Sequence, residues 1–533
     1  MCKIFNISIF SLLVFTACAL TSCTLISVET VVQDPIPVEM SGRVIIAVAE
    51  YADYTVQKVH VYTREGILLG SADTEIVTLE SGREEIHWKK NIPVPDGTKC
   101  TFWVQIYTPV NKRLYYNEGH EDIIISGSQY DLLVSNAQLP IFTPSDLKRI
   151  GSDPDLYPMD EKYVLIRDIK LSGLWEPFGK DSVNAFRGEF NGNFRTISNL
   201  SLDGGSREFV GLFGYIQKAT LKNLFLYISD DPLYLTTITG QNVGVLAACA
   251  EDSDIENIAV RGGLNGLTIN KEGGASLAVG GIVGSFLTRS DRVANPYRIY
   301  GCASEILIAV NSNVHSNSVN DRNSVGGIAG YLYRDTPRAK IMVERCFSSE
   351  TISFATNSNA YVGGLLGYYV DNANTASVPV TPGDDPKEGM TIKHCYNSGD
   401  VSGEGENIYA GGILGSAKSM LTPAPSNAIV LDKIVAMNGA INISAANDYG
   451  INRISGGAKN LIKPLPLPPP LPDQVAYSLE KMMLSPAGTA GGEEGGDVFA
   501  PNITRLWFVT TMGWDFSSIW EWNTRLKRPV FQW

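Results

Sequence analysis

The sequence contains few basic residues, and they form no run. Its 533 residues include 43 lysines and arginines against 56 aspartates and glutamates, which gives a net charge of −13 at pH 7. A surface that binds nucleic acid needs clustered lysine or arginine to neutralise phosphates. The composition therefore argues against a nucleic-acid partner, and we interpret the acidic surface as a source of solubility.

Motifs that hold a metal or a catalytic histidine are also missing. The chain has no paired CxxC and no HExxH, and its five histidines stand apart from any nucleophile motif: His60, His87, His120, His315 and His394. His394 directly precedes Cys395, but adjacent residues on a strand point to opposite faces, which argues against a Cys/His pair. We therefore expect no metal, no other cofactor and no catalytic residue.

Cysteine is scarce, and five thiols follow the N-terminal segment: Cys100, Cys249, Cys302, Cys346 and Cys395. An odd number is poor evidence for a disulfide framework. The last three occupy like positions in "YGCAS", "ERCFS" and "KHCYN". Because free cysteine packs like a small apolar side chain, we predict a buried column of these three residues; a zinc site is the weaker interpretation.

A long apolar run occurs at the N-terminus, in "MCKIFNISIFSLLVFTACALTSC". It follows one lysine and has the length of an export signal, too short and wrongly flanked for a spanning helix. Its last four residues, Leu20 to Cys23, resemble the bacterial lipoprotein box. The resemblance implies that residues 1–22 are a signal peptide and that Cys23 is lipidated, with palmitate among its acyl chains. Ordinary cleavage near Ala19 is the alternative.

Residues 23–41 are interpreted as a tether, and residues 42–140 have the pattern of short strands. The segments "KVHVY" and "TFWVQIY" have strand-like alternation, which places Val59 and Val61 on one face and Phe102, Val104 and Ile106 on another, and turn signals separate the segments. This predicts an antiparallel β-sandwich, which resembles the fimbrillin-type domains of Gram-negative surface lipoproteins. In "FTPSDLKRI", we predict a short helix capped by Thr143 or Ser145.

From residue 141 to 460 a glycine-rich segment recurs, as "VGGIAGY", "VGGLLGY", "AVGGIVGS" and "AGGILGS". Most copies precede a second recurring segment such as "TLKNLFL" or "TIKHCYNSGDVS". Self-similarity at this period predicts a solenoid whose units must stack to bury their apolar faces. We expect these glycines to be structural: Gly211, Gly214, Gly244, Gly281, Gly284, Gly327, Gly330, Gly364, Gly367, Gly412 and Gly415.

The pattern "VGGLLGY…TIKHCYNSGDVSG" resembles the GLUG motif of bacterial surface proteins and of immunoglobulin-cleaving metalloproteases. The leading "FRGEFNGNFRTISNL" and the closing "GWDFSSIWEWNTRLKRPVFQW" resemble the two ends of GLUG-bearing lipoproteins, so the similarity covers roughly residues 142–533. One copy, "VGVLAAC", departs from it, and we align Ala247 with the second repeat glycine. No catalytic motif of the proteases is present, so their activity is not implied.

Each repeat glycine is expected where a chain turns or where two backbones approach closely, because a Cβ there would clash or require an unfavourable φ. The aliphatic pair between the glycines, such as Leu365 and Leu366, should supply the buried side chains. Asn223, Asn257 and Asn397 are placed where strands turn, since asparagine tolerates left-handed backbone. A phosphate-binding loop is the rejected alternative, because "VGGIAGYLYRD" lacks the following Lys and Ser/Thr.

Two further segments complete the predicted fold, which is all-β: a sandwich followed by a parallel β-helix, or solenoid. Residues 461–475 are proline-rich and predict a polyproline II spacer, with a ligand for an aromatic groove as the alternative. Residues 476–533 are predicted to cap the last coil. A sugar-binding platform is the alternative for the aromatic residues of this region: Trp514, Phe516, Trp520, Trp522 and Trp533.

These features predict a lipoprotein anchored to the outer membrane at the cell surface, acting as an adhesin or as a fimbria-associated binding or structural protein. Expected partners are the membrane and host glycans, host proteins or fimbrial subunits, bound through the insertions Ser312–Asn323 and Tyr369–Gly389. The alternative is a β-helix polysaccharide lyase or hydrolase, which would group carboxylates on one sheet face. The acidic clusters Ala250–Glu256 and Gly383–Glu388 are interpreted instead as solvated loops.

Overall fold

The computed structural model describes residues 37–46, 48–64, 66–94, 99–109, 113–124, 129–202, 207–229, 236–237, 241–262, 266–271, 276–292, 295–313, 323–373, 388–420, 428–457, 459–462, 476–479, 482–485, 496–498 and 500–532. These residues form an all-β protein, as predicted, with two short α-helices. The predicted signal peptide, Cys23 and residues 463–475 of the predicted spacer lie outside the described residues.

The strands of the N-terminal part are β1 Pro37–Ile46, β2 Thr55–Thr63, β3 Leu68–Thr78, β4 Glu84–Pro93, β5 Lys99–Tyr107, β6 Leu114–Ile124, β7 Leu132–Val134 and β8 Ala137–Ile141. Helix α1 is Pro144–Arg149.

The strands of the repeat region are β9 Lys162–Leu165, β10 Ile169–Lys170, β11 Glu189–Leu200, β12 Phe209–Val210, β13 Phe213–Gln217, β14 Thr220–Ile228, β15 Thr236–Thr237, β16 Asn242–Gly244, β17 Ala247–Glu251, β18 Asp254–Arg261, β19 Leu267–Lys271, β20 Ala278–Gly280, β21 Val283–Thr288, β22 Tyr297–Tyr300, β23 Ala303–Glu305, β24 Ile308–Ser312, β25 Ser324–Gly326, β26 Ala329–Arg334, β27 Ile341–Glu344, β28 Phe347–Ser348, β29 Ile352–Thr356, β30 Ala360–Gly363, β31 Leu366–Asp371, β32 Met390–Lys393, β33 Tyr396–Asn397, β34 Val401–Gly411, β35 Leu414–Ser419, β36 Ile429–Asp432, β37 Ile434–Ala436, β38 Ala440–Asn452 and β39 Ser455–Gly457.

The C-terminal part adds β40 Ala476–Leu479, β41 Met483–Ser485, β42 Gly496–Val498, helix α2 Arg505–Thr510, β43 Trp520–Asn523 and β44 Arg528–Phe531. Short 3₁₀ turns occur at Ala49–Tyr51, Lys459–Leu461 and Ala500–Asn502.

The N-terminal strands pair mainly antiparallel: β2 with β3 and β5, β5 with β6, and β4 with β1 and β3. The short β7 pairs in parallel with β1. The predicted alternation of faces is confirmed, since Val59, Val61 and Phe102 lie in the main core whereas Tyr62 and Trp103 lie in a separate cluster. The tether prediction was wrong at its C-terminal end, because β1 begins at Pro37 and Met40 is buried opposite Lys90.

The N-terminal sheets continue directly into the repeat region. Strand β8 pairs in parallel with β9, with Leu139 opposite Tyr163. The short helix is confirmed, and Thr143 rather than Ser145 is its cap: the Thr143 hydroxyl accepts from the Asp146 N–H at 3.1 Å. Trp103 is buried on the other face of β5, where it packs with Val164 of the first repeat strand.

Three parallel ladders organise the repeat region. The first ladder runs through β9, β10, β11, β14, β18, β22, β23, β27, β28, β32, β33, β36, β37, β40 and β42. The second runs through β12, β15, β16, β19, β20, β24, β25, β29, β30, β34, β38 and β41, and the third through β13, β17, β21, β26, β31, β35 and β39. Most strands pair with the equivalent strand one repeat later. Between two such paired strands, the chain passes through all three ladders.

Side chains from the three ladders meet in one continuous apolar core. Val325 of the second ladder, Leu332 of the third and Ile341 of the first are all buried in it. Cys302, Cys346 and Cys395 lie in the same core, which confirms the predicted buried column.

The predicted position of the C-terminal aromatic residues was wrong. Trp514, Phe516, Trp520 and Trp522 do not close the end of the ladders but pack along the outer side of the first ladder, where Trp514, Trp520 and Phe531 contact Phe347 and Tyr396. Outward-facing apolar side chains in successive repeats create this second, lateral core. Trp514, Phe516 and Trp520 are buried, so these three rings do not offer an exposed sugar platform. Trp533 lies outside the described residues.

Candidate functional site

The glycine turns join the second ladder to the third. Gly327 follows β25, and a β-carbon on it would overlap the Gly364 carbonyl oxygen and the Ser348 hydroxyl. Gly364 bears the same relation to the Gly412 carbonyl oxygen one repeat later. Neither residue has a positive φ. Close approach between successive repeats, and not backbone conformation, therefore requires glycine at these positions.

The strand register corrects the sequence alignment at Gly244 and at Gly211, which lies beside it because Val210 pairs with Val243. Gly244 pairs with Gly280, the first glycine of the next copy, and not with Gly281. Ala247 pairs with Val283, so the residue aligned with Gly284 is Ala248 and the Ala247 assignment was wrong. Counting residues back from the aliphatic pair misplaced this copy, because Val245 occupies the position of the second glycine.

A further row of glycines escaped the sequence reasoning. In each of these copies the first glycine of the pair has no room for a β-carbon, which would overlap the carbonyl oxygen three residues further on: Gly280, Gly326, Gly363 and Gly411. Each one starts the turn into the third ladder. The doubled glycine in "VGG" was visible in the sequence and was the available signal.

The turns are held by backbone hydrogen bonds between repeats. The Ile328 N–H donates to the Leu365 carbonyl at 2.8 Å, and the Leu365 N–H donates to the Ile413 carbonyl at 3.0 Å. The side chains of Ile328, Leu365 and Leu366 are fully buried. Backbone polar groups and apolar side chains of the motif are thus both used in stacking.

The cysteine column is a packing feature. The Cys346 N–H donates to the Cys395 sulfur at 3.3 Å, and the Cys346 thiol donates to the Ile299 carbonyl at 3.4 Å. Burial raises the pKa of the Cys346 thiol well above its usual value. A thiol that stays protonated is a poor nucleophile and a poor metal ligand.

A column of left-handed residues bends the first ladder once per repeat. Asn223 and Asn257 have φ of 56° and 54°, and the Asn257 amide donates to the Asn223 side-chain oxygen at 2.9 Å. The aligned positions in later repeats are Gly301, Arg345, His394 and Lys433, all with positive φ. Asn397 belongs to a different turn: it is the last residue of β33, and its amide donates to the Gly399 carbonyl while its side-chain oxygen accepts from the Gly399 N–H. The predicted turn is therefore present at Asn397, but without the positive φ of Asn223 and Asn257.

His394 lies at this bend, away from the Cys395 sulfur, which is in the core. Its ring meets the Trp514 ring edge-on at 6.2 Å between centroids. Burial, together with Lys393 and other nearby cations, lowers the pKa of His394 to about 4. The side chain is therefore neutral near pH 7.

The acidic cluster at residues 250–256 is not a solvated loop, and that prediction was wrong. Glu251 is buried and accepts from the Tyr215 hydroxyl at 2.5 Å, and Asp252 is buried and accepts from the Arg289 and Ser290 N–H groups. The two carboxylates that follow form ion pairs with the next repeat: Asp254 with Arg292 at 2.7 Å and Glu256 with Arg298 at 2.5 Å. Through these hydrogen bonds and ion pairs, the four carboxylates stabilise turns and strands of the repeat region. Residues 383–387 of the other cluster lie outside the described residues.

The remaining histidines occupy separate places. His60 is buried between the Ser71 hydroxyl at 2.7 Å and the Gln105 side-chain oxygen at 2.6 Å, and burial lowers its pKa. His87 is 3.0 Å from Glu85. The His120 side chain and His315 lie outside the described part of the chain. Within that part, no three His, Cys, Asp or Glu side chains are grouped to hold a metal.

A half-open cavity of about 600 Å³ lies where α1 meets the first repeat. Its apolar lining comes from Ile150, Met159 and Phe178, and its polar lining includes Lys148 and Lys180. The volume suits a small molecule. The Lys180 ammonium is 3.6 Å from Glu176, which is itself on the lining, so opposite charges share the rim.

Comparisons with known proteins give two partial similarities. Over 97 residues, 16% of its length, the chain is 30% identical to a putative Gly-rich membrane protein of Evansella cellulosilytica and covers 11% of that protein. Over 135 residues, 23% of its length, it is 30% identical to halomucin of Haloquadratum walsbyi and covers 1% of it. The chain thus spans a small fraction of each relative. No family model matches the chain, and no solved structure matches it significantly.

No helix in the described ranges has both the length and the apolar character needed to cross a bilayer.

Proposed function

We propose that this chain is a non-catalytic cell-surface scaffold, anchored in the outer membrane through a lipid on Cys23. An N-terminal antiparallel β-sandwich leads into a parallel β-solenoid of GLUG-type repeats, and the solenoid presents inserted segments to partners. In this role the protein acts as an adhesin or as a fimbria-associated binding or structural protein.

The observation that carries the proposal is the close contact of the glycine turns. Gly327 and Gly364 each abut the carbonyl oxygen of the next repeat, and Leu365 and Leu366 are buried. The repeated residues are thus occupied by stacking, which suits a scaffold and leaves the insertions free to specialise. Loops on a rigid framework commonly carry recognition, and stacked repeats present long surfaces to large partners.

The alternative of a polysaccharide lyase or hydrolase requires free carboxylates on one sheet face. Of the described carboxylates in the first acidic cluster, Glu251 and Asp252 accept hydrogen bonds inside the protein, and Asp254 and Glu256 are ion-paired. Their engagement favours the non-catalytic proposal.

The surface location rests on the apolar N-terminal run that ends in Cys23. The similarity to a protein named as a Gly-rich membrane protein agrees with it. Two acyl chains are generally needed for firm anchoring, and a diacylglyceryl cysteine supplies them.

The test is to replace residues 314–322 and 374–387 separately with short Gly/Ser links and to compare binding of expressing cells to arrays of host glycans and proteins. Replacement of residues 421–427 serves as the control insertion. We expect one of the first two replacements to abolish a binding signal that the control keeps. Unchanged binding in both, or cleavage of a glycan or peptide by the purified parent, would contradict the proposal.

A further inference from the structure

A strip of apolar side chains runs along the outer side of the first ladder. Each member is the register partner of the next, and the five members come from five consecutive repeats: Ala259, Ala303, Phe347, Tyr396 and Val435. Phe347 and Tyr396 stack with parallel rings, 5.0 Å between centroids. All five side chains are buried although they face away from the main core.

The cover over this strip is the C-terminal segment, residues 503–532. Trp520 is central to it: its ring lies 6.3 Å from Phe347, 6.2 Å from Tyr396, 4.6 Å from Trp514 and 4.5 Å from Phe531. The strands β43 and β44 form an antiparallel hairpin that carries Trp520 and Phe531. One short segment thus covers side chains from five repeats.

Polar contacts fasten the same segment at separate repeats. The Tyr396 hydroxyl donates to the Pro529 carbonyl, and the Arg528 guanidinium donates to the Ser398 hydroxyl at 3.0 Å. Arg528 also lies 3.6 Å from Glu305, two repeats before Ser398. At the other end of the strip, the Lys433 ammonium donates to the Thr511 carbonyl at 3.5 Å.

We propose that residues 503–532 act as a strap that makes the five repeats beneath it open as one unit. In a stacked array each repeat contacts only its neighbours, so repeats open locally and the array frays from its ends. A segment that shares one apolar cluster with side chains of five repeats loses packing whichever of them opens. The strap therefore links the stability of β18, β23, β28, β33 and β37. The repeats that it spans include those whose sequence contains residues 314–322 and 374–387.

The test is amide hydrogen exchange in the full-length chain, compared between the parent and Trp520→Ala. Loss of the central ring should speed exchange in all five strands by a common factor of at least about ten. Trp520→Phe, which keeps an apolar ring, should speed exchange in the same five strands by a smaller common factor. Leu526→Ala, in the exposed turn of the same hairpin, is the matched control and should leave the five strands unchanged.

A second variant separates the strap's attachment from its folding. Tyr396→Phe removes the hydroxyl that donates to Pro529 while keeping the ring stacked on Phe347. It should speed exchange in the strap and, by a common factor, in the strands from β18 to β37. Faster exchange confined to residues 503–532 and β33, with β18 and β23 unchanged in both Trp520→Phe and Tyr396→Phe, would overturn the proposal.

Discussion

Arg334 and Asp371 form an ion pair in which neither side chain is exposed, with Nη1 3.3 Å from Oδ2. They are register partners in β26 and β31 of the third ladder. The Arg334 guanidinium also donates to the carbonyls of Thr336 and Pro337. The pair thus stabilises the turn that connects the third ladder to the next strand of the same repeat.

Asp371→Ala should therefore destabilise the protein strongly. Removing one partner leaves a buried guanidinium without its counter-charge, which typically costs about 3–5 kcal/mol. Urea unfolding monitored by circular dichroism measures this change. The double variant Arg334→Met/Asp371→Leu, which removes both charges, should recover most of the stability. A single variant as stable as the parent would show that the pair does not contribute.

Gly327→Ala and Gly364→Ala should each lower the free energy of unfolding by more than about 2 kcal/mol, because the added carbon overlaps a carbonyl oxygen of the next repeat. Gly439→Ala is the control: its β-carbon would meet Asp400 at an ordinary contact distance of 3.4 Å. Thermal melting compares the three variants. Equal melting of all three would contradict the close contact between repeats.

The pH dependence of stability should include a contribution from His394. Its folded-state pKa of about 4 is below the ordinary value of 6.5, so between these values the unfolded chain binds a proton that the folded chain does not. Stability from this residue is present above pH 6.5 and is lost as the pH falls towards 4.

His394→Asn should remove this loss, and asparagine suits the left-handed backbone there, as it does at Asn223 and Asn257. Urea unfolding at pH 7 and at pH 4.5 should show a smaller difference for the variant than for the parent. His87→Asn, at a residue with a more exposed side chain, is the control and should retain the parent's difference. If His394→Asn kept the parent's difference in stability between pH 7 and pH 4.5, burial of the neutral His394 imidazole would not be the cause of that difference.

Cys23→Ser should move the protein from the membrane fraction to the soluble or secreted fraction, because it removes the thiol on which the proposed lipid anchor depends. Fractionation with immunoblotting measures this distribution. Cys100→Ser, at a cysteine buried in the N-terminal core, is the matched control. Equal membrane retention of Cys23→Ser and the parent would contradict lipid anchoring.

The repeated features of the fold were predictable because they recur in the sequence. Glycine, the aliphatic pair and cysteine at similar spacing predicted stacked repeats and a buried column at Cys302, Cys346 and Cys395, and the cysteine column is confirmed. The register of Gly244 was missed because valine replaces the second glycine of the pair in this copy. Gly244 is the first glycine of the pair, but it was aligned with the second glycines of the other copies.

Features that depend on contacts between distant segments were not predictable. Alternation along β28 and β33 indicates that Phe347 and Tyr396 face away from the cysteine column, but not that Trp520 covers them from more than a hundred residues away. Glu251 and Asp252 looked solvated because their partners Tyr215 and Arg289 belong to the preceding and following repeats. Only the parallel register brings these residues together.

The measurement that tests the stacked scaffold most directly is the distance between spin labels on Thr268 and Asn442 of the second ladder. Successive register partners link them through Ala309, Ser353 and Ser402. Four strand spacings of about 4.8 Å predict a Cα separation of about 19 Å. A narrow distribution near this value after allowance for the label arms is the expected result. A broad distribution, or one centred beyond about 30 Å, more than six such spacings, would contradict the stacking of the repeats.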